Sequence, residues 1–199
     1  MKRYGMILVS VLVAAVALLI AHAAVKARKA PTFDDAIEII KKFESLHSAR
    51  HWPLVGYGHK VMPGEKFKRG KVLSEAEADA LVRADYAKLC ARYRSFGADS
   101  LLLAALAYNC GPGVVAKSSV LAKLKRGDRD IEDAYKAHCR YRGKQLSQLK
   151  RRRETELATL FVKDPSLIVQ NVSMDIPDLD SLSVDRDSSG LTEQFAEQL

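Results

Sequence analysis

Phe43-Glu44-Ser45-Leu46-His47-Ser48-Ala49-Arg50-His51-Trp52-Pro53-Leu54-Val55-Gly56-Tyr57-Gly58-His59 begins as the end of a helix and leaves as a glycine-rich strand. Upstream, Phe33, Ile37 and Ile40 recur at three- to four-residue spacing, the apolar stripe of an amphipathic helix. Glu44 falls four residues after Ile40 on that same stripe. A carboxyl group therefore points where a hydrophobe is expected. Burial disfavours the ionised form of a carboxyl, which makes such a group a candidate proton donor near neutral pH. A Glu at a helix end is ordinarily a solvated charge, so the context decides. Val55-Gly56-Tyr57-Gly58-His59-Lys60-Val61, bounded by Trp52-Pro53 and Pro63-Gly64, reads as a short hairpin whose glycines let backbone approach something bound.

The 199 residues suffice for one domain with end segments, and a hydrophobic fraction of 48% supports a buried core. Formal net charge is +8, unevenly spread: residues 164–199 hold eight Asp/Glu and one Arg, leaving 31 Lys/Arg against 16 Asp/Glu before them. A basic body with an acidic tail suits a polyanionic partner, although solvated Lys and Arg on an ordinary surface give the same totals. Cys90, Cys110 and Cys139 lack metal-ligand spacing and contain no C-x-x-C, so they read as small buried hydrophobes. In an oxidising compartment one pair can bridge, and the sequence does not select which.

Lys2 and Arg3 precede an apolar run from Met6 to Ala21, and Ala21-His22-Ala23 offers a signal-peptidase site. Residues 1–30 are therefore read as a secretory signal peptide or membrane anchor, with the following domain exported. The domain, residues 31–163, opens with Thr32 or Asp34 as a helix cap. Ser74-Glu75-Ala76-Glu77 is a capping-box pattern for a helix to about Phe96, stopped by Gly97. Asp99 caps the all-apolar stretch Leu101 to Ala107, which predicts a central buried helix ending at Gly111-Pro112-Gly113. Further helices are predicted from Ser118 or Ser119 to Gly127, from Asp128 or Asp130 to near Gly143, and from about Leu146 to Phe161. Residues 164–199 are acidic without sustained period and read as a disordered tail.

Several of these stretches together resemble the phage-type lysozymes, glycoside hydrolase family 24. Phe43-Glu44-Ser45-Leu46 followed by Val55-Gly56-Tyr57-Gly58-His59 resembles that family's Phe-Glu-Gly-Leu and Ile-Gly-Tyr-Gly-His signature. Tyr108-Asn109-Cys110-Gly111 looks like its Phe-Asn-Val-Gly motif, and Gly143-Lys144, Leu149, Arg152-Arg153 and Glu156 match its closing element. The resemblance implies an α+β, lysozyme-like fold, predominantly helical with a small β-hairpin lobe. It also implies a peptidoglycan-cleaving glycosidase without metal or cofactor, acting on the β-1,4 bond between N-acetylmuramic acid and N-acetylglucosamine with Glu44 as general acid.

One departure bears on mechanism. The family places an Asp and a Thr between its catalytic Glu and the glycine strand. Here that interval is shorter, Leu54 stands where the Thr belongs, and no carboxylate occurs between Glu44 and Glu65. The shortened form resembles lysozyme-like proteins encoded on conjugative transposons of anaerobic Gram-negative bacteria. The N-terminal segment places the domain in the periplasm, or anchored in the inner membrane and facing it, and a monomer is expected. A scheme with two carboxylates does not transfer, and the substrate's own N-acetyl group can take the second role. The alternatives are a lytic transglycosylase using the same Glu44, or a non-catalytic peptidoglycan-binding module of a conjugation or secretion apparatus. Nucleic acid ranks last as a partner, since no nucleic-acid motif is present.

Around Glu44, His47 stands three residues on, where it can contact the carboxyl or orient water, or simply cap the helix. Trp52 can stack on a sugar ring or anchor its loop. Tyr57 is a candidate to line the cleft, and His59 a candidate to brace the hairpin or touch substrate. Asn109 offers an amide to the glycan or to the Glu44 loop. Arg152 and Arg153 are read as ties between the last helix and the body.

Overall fold

Helix α1, Phe33–Glu44, starts with a reciprocal cap: Thr32 Oγ1 accepts from the Asp35 amide at 3.2 Å, and the Asp35 carboxylate accepts from the Thr32 amide at 2.8 Å. Thr32 is thus the cap, while Asp34 pairs with Arg83 at 2.6 Å. The computed structural model describes residues 30–165, and the folded unit within them is Pro31–Lys163. The expected N-terminal signal or anchor and the acidic tail from residue 166 onward lie outside the described residues. Phe33, Ala36, Ile37, Ile39 and Ile40 are buried along α1, and the helix stops at Glu44 because Ser45 turns to φ 59°. The carboxyl thereby sits at the last helical position, where the chain leaves for the hairpin.

Strands β1, Leu54–Val55, and β2, His59–Lys60, pair antiparallel with Leu54 opposite Lys60 and Val55 opposite His59. Gly56 and Gly58 both have positive φ, and Gly58 donates back to Val55 O at 3.2 Å. Helix α2, Glu75–Arg92, opens on the predicted capping box, with the Ser74 amide 2.7 Å from the Glu77 carboxylate. Donation from the Ser74 backbone, then its hydroxyl and Lys71, holds the Glu77 carboxyl down at about 2.

The helix ends four residues before Phe96, and a 3-10 segment, Arg94–Asp99, follows with Gly97 in a non-helical conformation. Helix α3, Ser100–Cys110, is the central helix that its apolar run predicts: residues 100–107 are all buried. It packs against α1 and α2. Asp99 does not cap it; its carboxylate accepts instead from Arg129, at 2.9 Å.

Two further stretches depart from the sequence reading. Pro112 stops α3 as expected but also starts a short helix, α4, Pro112–Ala116, because a proline is tolerated in a first turn. Helix α5, Ser119–Lys125, is capped by Ser118. Helix α6 is only Glu132–Lys136, and the residues predicted to continue it form a second hairpin. This pairs β3, Arg140–Tyr141, with β4, Lys144–Gln145, across a turn with Arg142 at φ 49° and Gly143 at φ 80°. All four strand residues are exposed, so no apolar alternation marks them. Helix α7, Ser147–Leu160, closes the unit against α1, α3 and α6. The architecture is α+β and predominantly helical, as expected.

Candidate active site

Glu44 is brought to three elements at once. Its Oε1 accepts from Arg152 Nη1 on α7 and lies 3.4 Å from Asn109 Nδ2 at the end of α3. Its Oε2 faces the glycine hairpin: a Cβ on Gly58 would stand 3.4 Å from it. With φ at +99°, Gly58 also occupies backbone space that side-chain-bearing residues rarely adopt. The side chain is 21% exposed, so it is reachable from solvent yet held from inside. The apolar surroundings expected from the helical stripe are replaced by a guanidinium and an amide.

Why Arg152 can be there follows from α7. Arg152 and Arg153 are adjacent, and Glu156 lies four and three residues on, so one carboxylate meets both guanidinium groups one turn away. Arg152 Nε donates to Glu156 Oε1 at 2.9 Å, Arg153 Nη2 donates to the same oxygen at 3.2 Å, and Tyr135 Oη donates to Oε2 at 2.8 Å. Arg152 is 2% exposed and Glu156 fully buried. Burial works against the charge of Arg152, but Glu156 and Glu44 more than offset it and its pKa is raised. Arg153 Nη2 reaches on to Asn109 Oδ1 at 3.0 Å, closing a ring of side chains around Glu44. The sequence reading of the two arginines as structural ties missed the contact between Arg152 and Glu44. The signal available was the spacing Arg152, Arg153, Glu156, since two adjacent buried cations need a shared anion one turn away.

The hairpin side chains divide. His47 is not on the helix, which has ended, and it does not reach Glu44: its amide and Nδ1 both meet Gly56 O, at 2.8 and 3.1 Å. Its ring lies edge-on to His51 at 4.9 Å. Trp52 is half-buried against the core and precedes Pro53 through a cis peptide. The Tyr57 ring is buried rather than lining a cleft, with Lys41 Nζ 5.7 Å from its centre. What Tyr57 presents locally is its carbonyl, which accepts from Tyr108 Oη at 2.9 Å. Of the two turn glycines, only Gly58 approaches the acid; Gly56 lies against Leu73 and Ala78. Asn109 and Glu44 are thus the predicted residues that the fold brings together.

His59 is clamped by two carboxylates, Asp85 from α2 at 2.6 Å on Nδ1 and Glu65 at 3.0 Å on Nε2. Glu65 also accepts from the Met62 amide at 2.7 Å. His59 therefore braces the hairpin, one of its two expected roles. Asp85 had no local signal, being 26 residues away. Burial opposes the imidazolium, yet the hydrogen bonds and charges of Asp85 and Glu65 outweigh it and raise the His59 pKa. The protonated ring therefore stabilises the fold fully below the unfolded value, about 6.5, and that contribution disappears as pH rises through the raised folded value. Asp85→Asn should lower the melting temperature at pH 6 and flatten its decline between pH 6 and 9. Thermal melts of both proteins across that range check this, and parallel pH curves would contradict it.

A mostly helical domain with a glycine hairpin set over a helix-borne carboxyl is the lysozyme-like fold. Solved structures share it, two of them as follows. The muramidase domain of SpmX from Asticaccaulis excentricus is 22% identical with a TM-score of 0.56, aligned over 68% of this chain and 99% of that one. The endolysin from Escherichia coli O157:H7 phage FAHEc1 is 20% identical with a TM-score of 0.52, over 69% and 92%. No curated protein matches the chain. The phage lysozyme family matches residues 41–156, more than half of the chain, and the protein belongs to that family. It is accordingly a lysozyme-like protein of a peptidoglycan-cleaving family, as the motifs around Glu44, Asn109 and Arg152 imply.

Proposed function

We propose that the protein cleaves the β-1,4 bond between N-acetylmuramic acid and N-acetylglucosamine in peptidoglycan, with Glu44 as general acid. The observation that carries this reading is the position of the Glu44 carboxyl, one oxygen taken by Arg152 and Asn109 and the other turned to the Gly58 backbone. Glu44 protonates the glycosidic oxygen as the bond from C1 to that oxygen breaks, and Arg152 balances the charge then left on the carboxylate.

Among the described residues no second carboxylate is free beside Glu44 for the sugar's positive charge: Glu156 is fully buried under Arg152 and Arg153. The first acid after Glu44 in sequence, Glu65, is committed to His59 and to the Met62 amide. The acetamido oxygen of the muramoyl ring takes that role, attacking C1 to give a cyclic oxazolinium. Water then opens the ring at C1 as Glu44 recovers a proton from it, leaving a reducing end. The same lack of a second carboxylate favours one further reading, a lytic transglycosylase. There Glu44 takes the proton of the muramoyl 6-hydroxyl, which attacks C1 and closes a 1,6-anhydro ring.

Mass spectrometry of soluble products from purified peptidoglycan separates these outcomes. Reducing N-acetylmuramic ends support the hydrolase, and anhydro ends transfer the assignment to the transglycosylase. A folded, wall-binding protein that releases nothing sinks both in favour of a binding module.

A further inference from the structure

Arg153 is fully buried and does not touch Glu44, yet its contacts determine how Glu44 is presented. A guanidinium can only donate hydrogen bonds, so the Asn109 atom 3.0 Å from Arg153 Nη2 has to be the carbonyl oxygen. The amide NH2 of Asn109 is then turned the other way, to Glu44 Oε1 at 3.4 Å. Arg153 is itself held on Glu156, whose Oε2 is 3.1 Å from Nε, and the Tyr135 ring lies 5.6 Å from its guanidinium carbon. Arg152 Nη1 donates to the same Glu44 oxygen. Two donors thus converge on Oε1, where a carboxyl hydrogen would be driven against them. Among the described residues no donor reaches Oε2.

We propose that Arg153 is a positioning residue for proton transfer: through Asn109 it directs a second donor onto Glu44 Oε1, so that Oε2, facing Gly58, carries and delivers the proton. This rests on Glu44 being the acid. The glycosidic oxygen then receives its proton on the hairpin side of the carboxyl. Gly58, without a side chain, leaves the backbone as the wall of that approach.

The test uses the full chain and two substrates. Peptidoglycan has a sugar leaving group that needs a proton; a 4-nitrophenyl glycoside of the N-acetylglucosaminyl-N-acetylmuramic disaccharide has one that leaves without it. Arg153→Lys keeps a charge for Glu156 but cannot span Glu156 and Asn109 as the guanidinium fork does. It should lower kcat on peptidoglycan by about tenfold to a hundredfold, as small misplacements of catalytic groups do, with KM and the aryl glycoside rate little changed. Asn109→Ala should do the same, and adding Arg153→Lys to it should cost nothing further, because Arg153 acts through Asn109.

Equal losses on both substrates, or losses that multiply in the double variant, would make Arg153 structural and overturn the proposal. Rates are referred to the folded fraction from circular dichroism. If Arg153→Lys melts below the assay temperature, Asn109→Asp carries the test, since it still accepts from Arg153 but offers Glu44 no amide hydrogen. An unchanged peptidoglycan kcat in that variant overturns the proposal, and a loss confined to peptidoglycan supports it. Glu44→Gln, run alongside, must itself lose far more on peptidoglycan than on the aryl glycoside. If it does not, the assignment of Glu44 as acid fails, independently of Arg153.

Discussion

Glu44→Gln is expected to reduce release of soluble glycan from peptidoglycan by at least about a hundredfold, the contribution typical of a positioned general acid. The substitution keeps the shape of the side chain and an oxygen for Arg152 and Asn109, and replaces the ionisable carboxyl by an amide that can neither deliver the proton nor carry the negative charge. Glu44 is 21% exposed and Arg152, itself 2% exposed, keeps Glu156 as a partner, so the lost charge costs less stability than loss of Glu156 would. The variant should fold, melt close to the wild type and still sediment with the cell wall. Quantifying dye-labelled peptidoglycan fragments, with a melt on the same sample, checks this. Activity within a few-fold of wild type would remove Glu44 from the chemistry.

Glu156→Gln should act on stability. It leaves Arg152 and Arg153, 2% and 0% exposed, with one carboxylate, Glu44, where there were two. Removing one partner of a buried ion pair costs about 3–5 kcal/mol, because the remaining charge stays desolvated. For a chain of this size that corresponds to a melting temperature lower by roughly 6 to 20 °C. The exposed pair of Lys136 and Glu132, 3.7 Å apart, is the control: Glu132→Ala should shift stability by no more than about 0.5 kcal/mol. Thermal denaturation followed by circular dichroism measures both. A Glu156→Gln melt within a degree or two of wild type would mean that the two arginines are neutralised some other way.

The helices were legible where a periodic pattern met a cap. Thr32, Ser74 and Ser118 each sit directly before the helix that its neighbours predict, because side-chain capping is a local interaction. The hairpin over Glu44 was legible from its glycines for a similar reason. The second hairpin was not, since Arg140, Tyr141, Lys144 and Gln145 are all exposed and leave no apolar trace. Within the site, Glu44 was found as a carboxyl on an apolar stripe. Its surroundings were misjudged, because Arg152 arrives from 108 residues away. The expectation for His47 failed on one backbone torsion: Ser45 at φ 59° ends the helix, so position 47 turns to Gly56 instead of following Glu44 along a helical face. His59 was placed correctly at the hairpin, while Asp85 became visible as its partner only once α2 was packed against the strand.

The most direct test is to incubate the 199-residue chain and its Glu44→Gln variant with purified peptidoglycan and identify the soluble products by mass spectrometry. We predict disaccharide muropeptides with reducing N-acetylmuramic ends from the wild type and none from the variant. The same muropeptides from both proteins would contradict a mechanism built on Glu44.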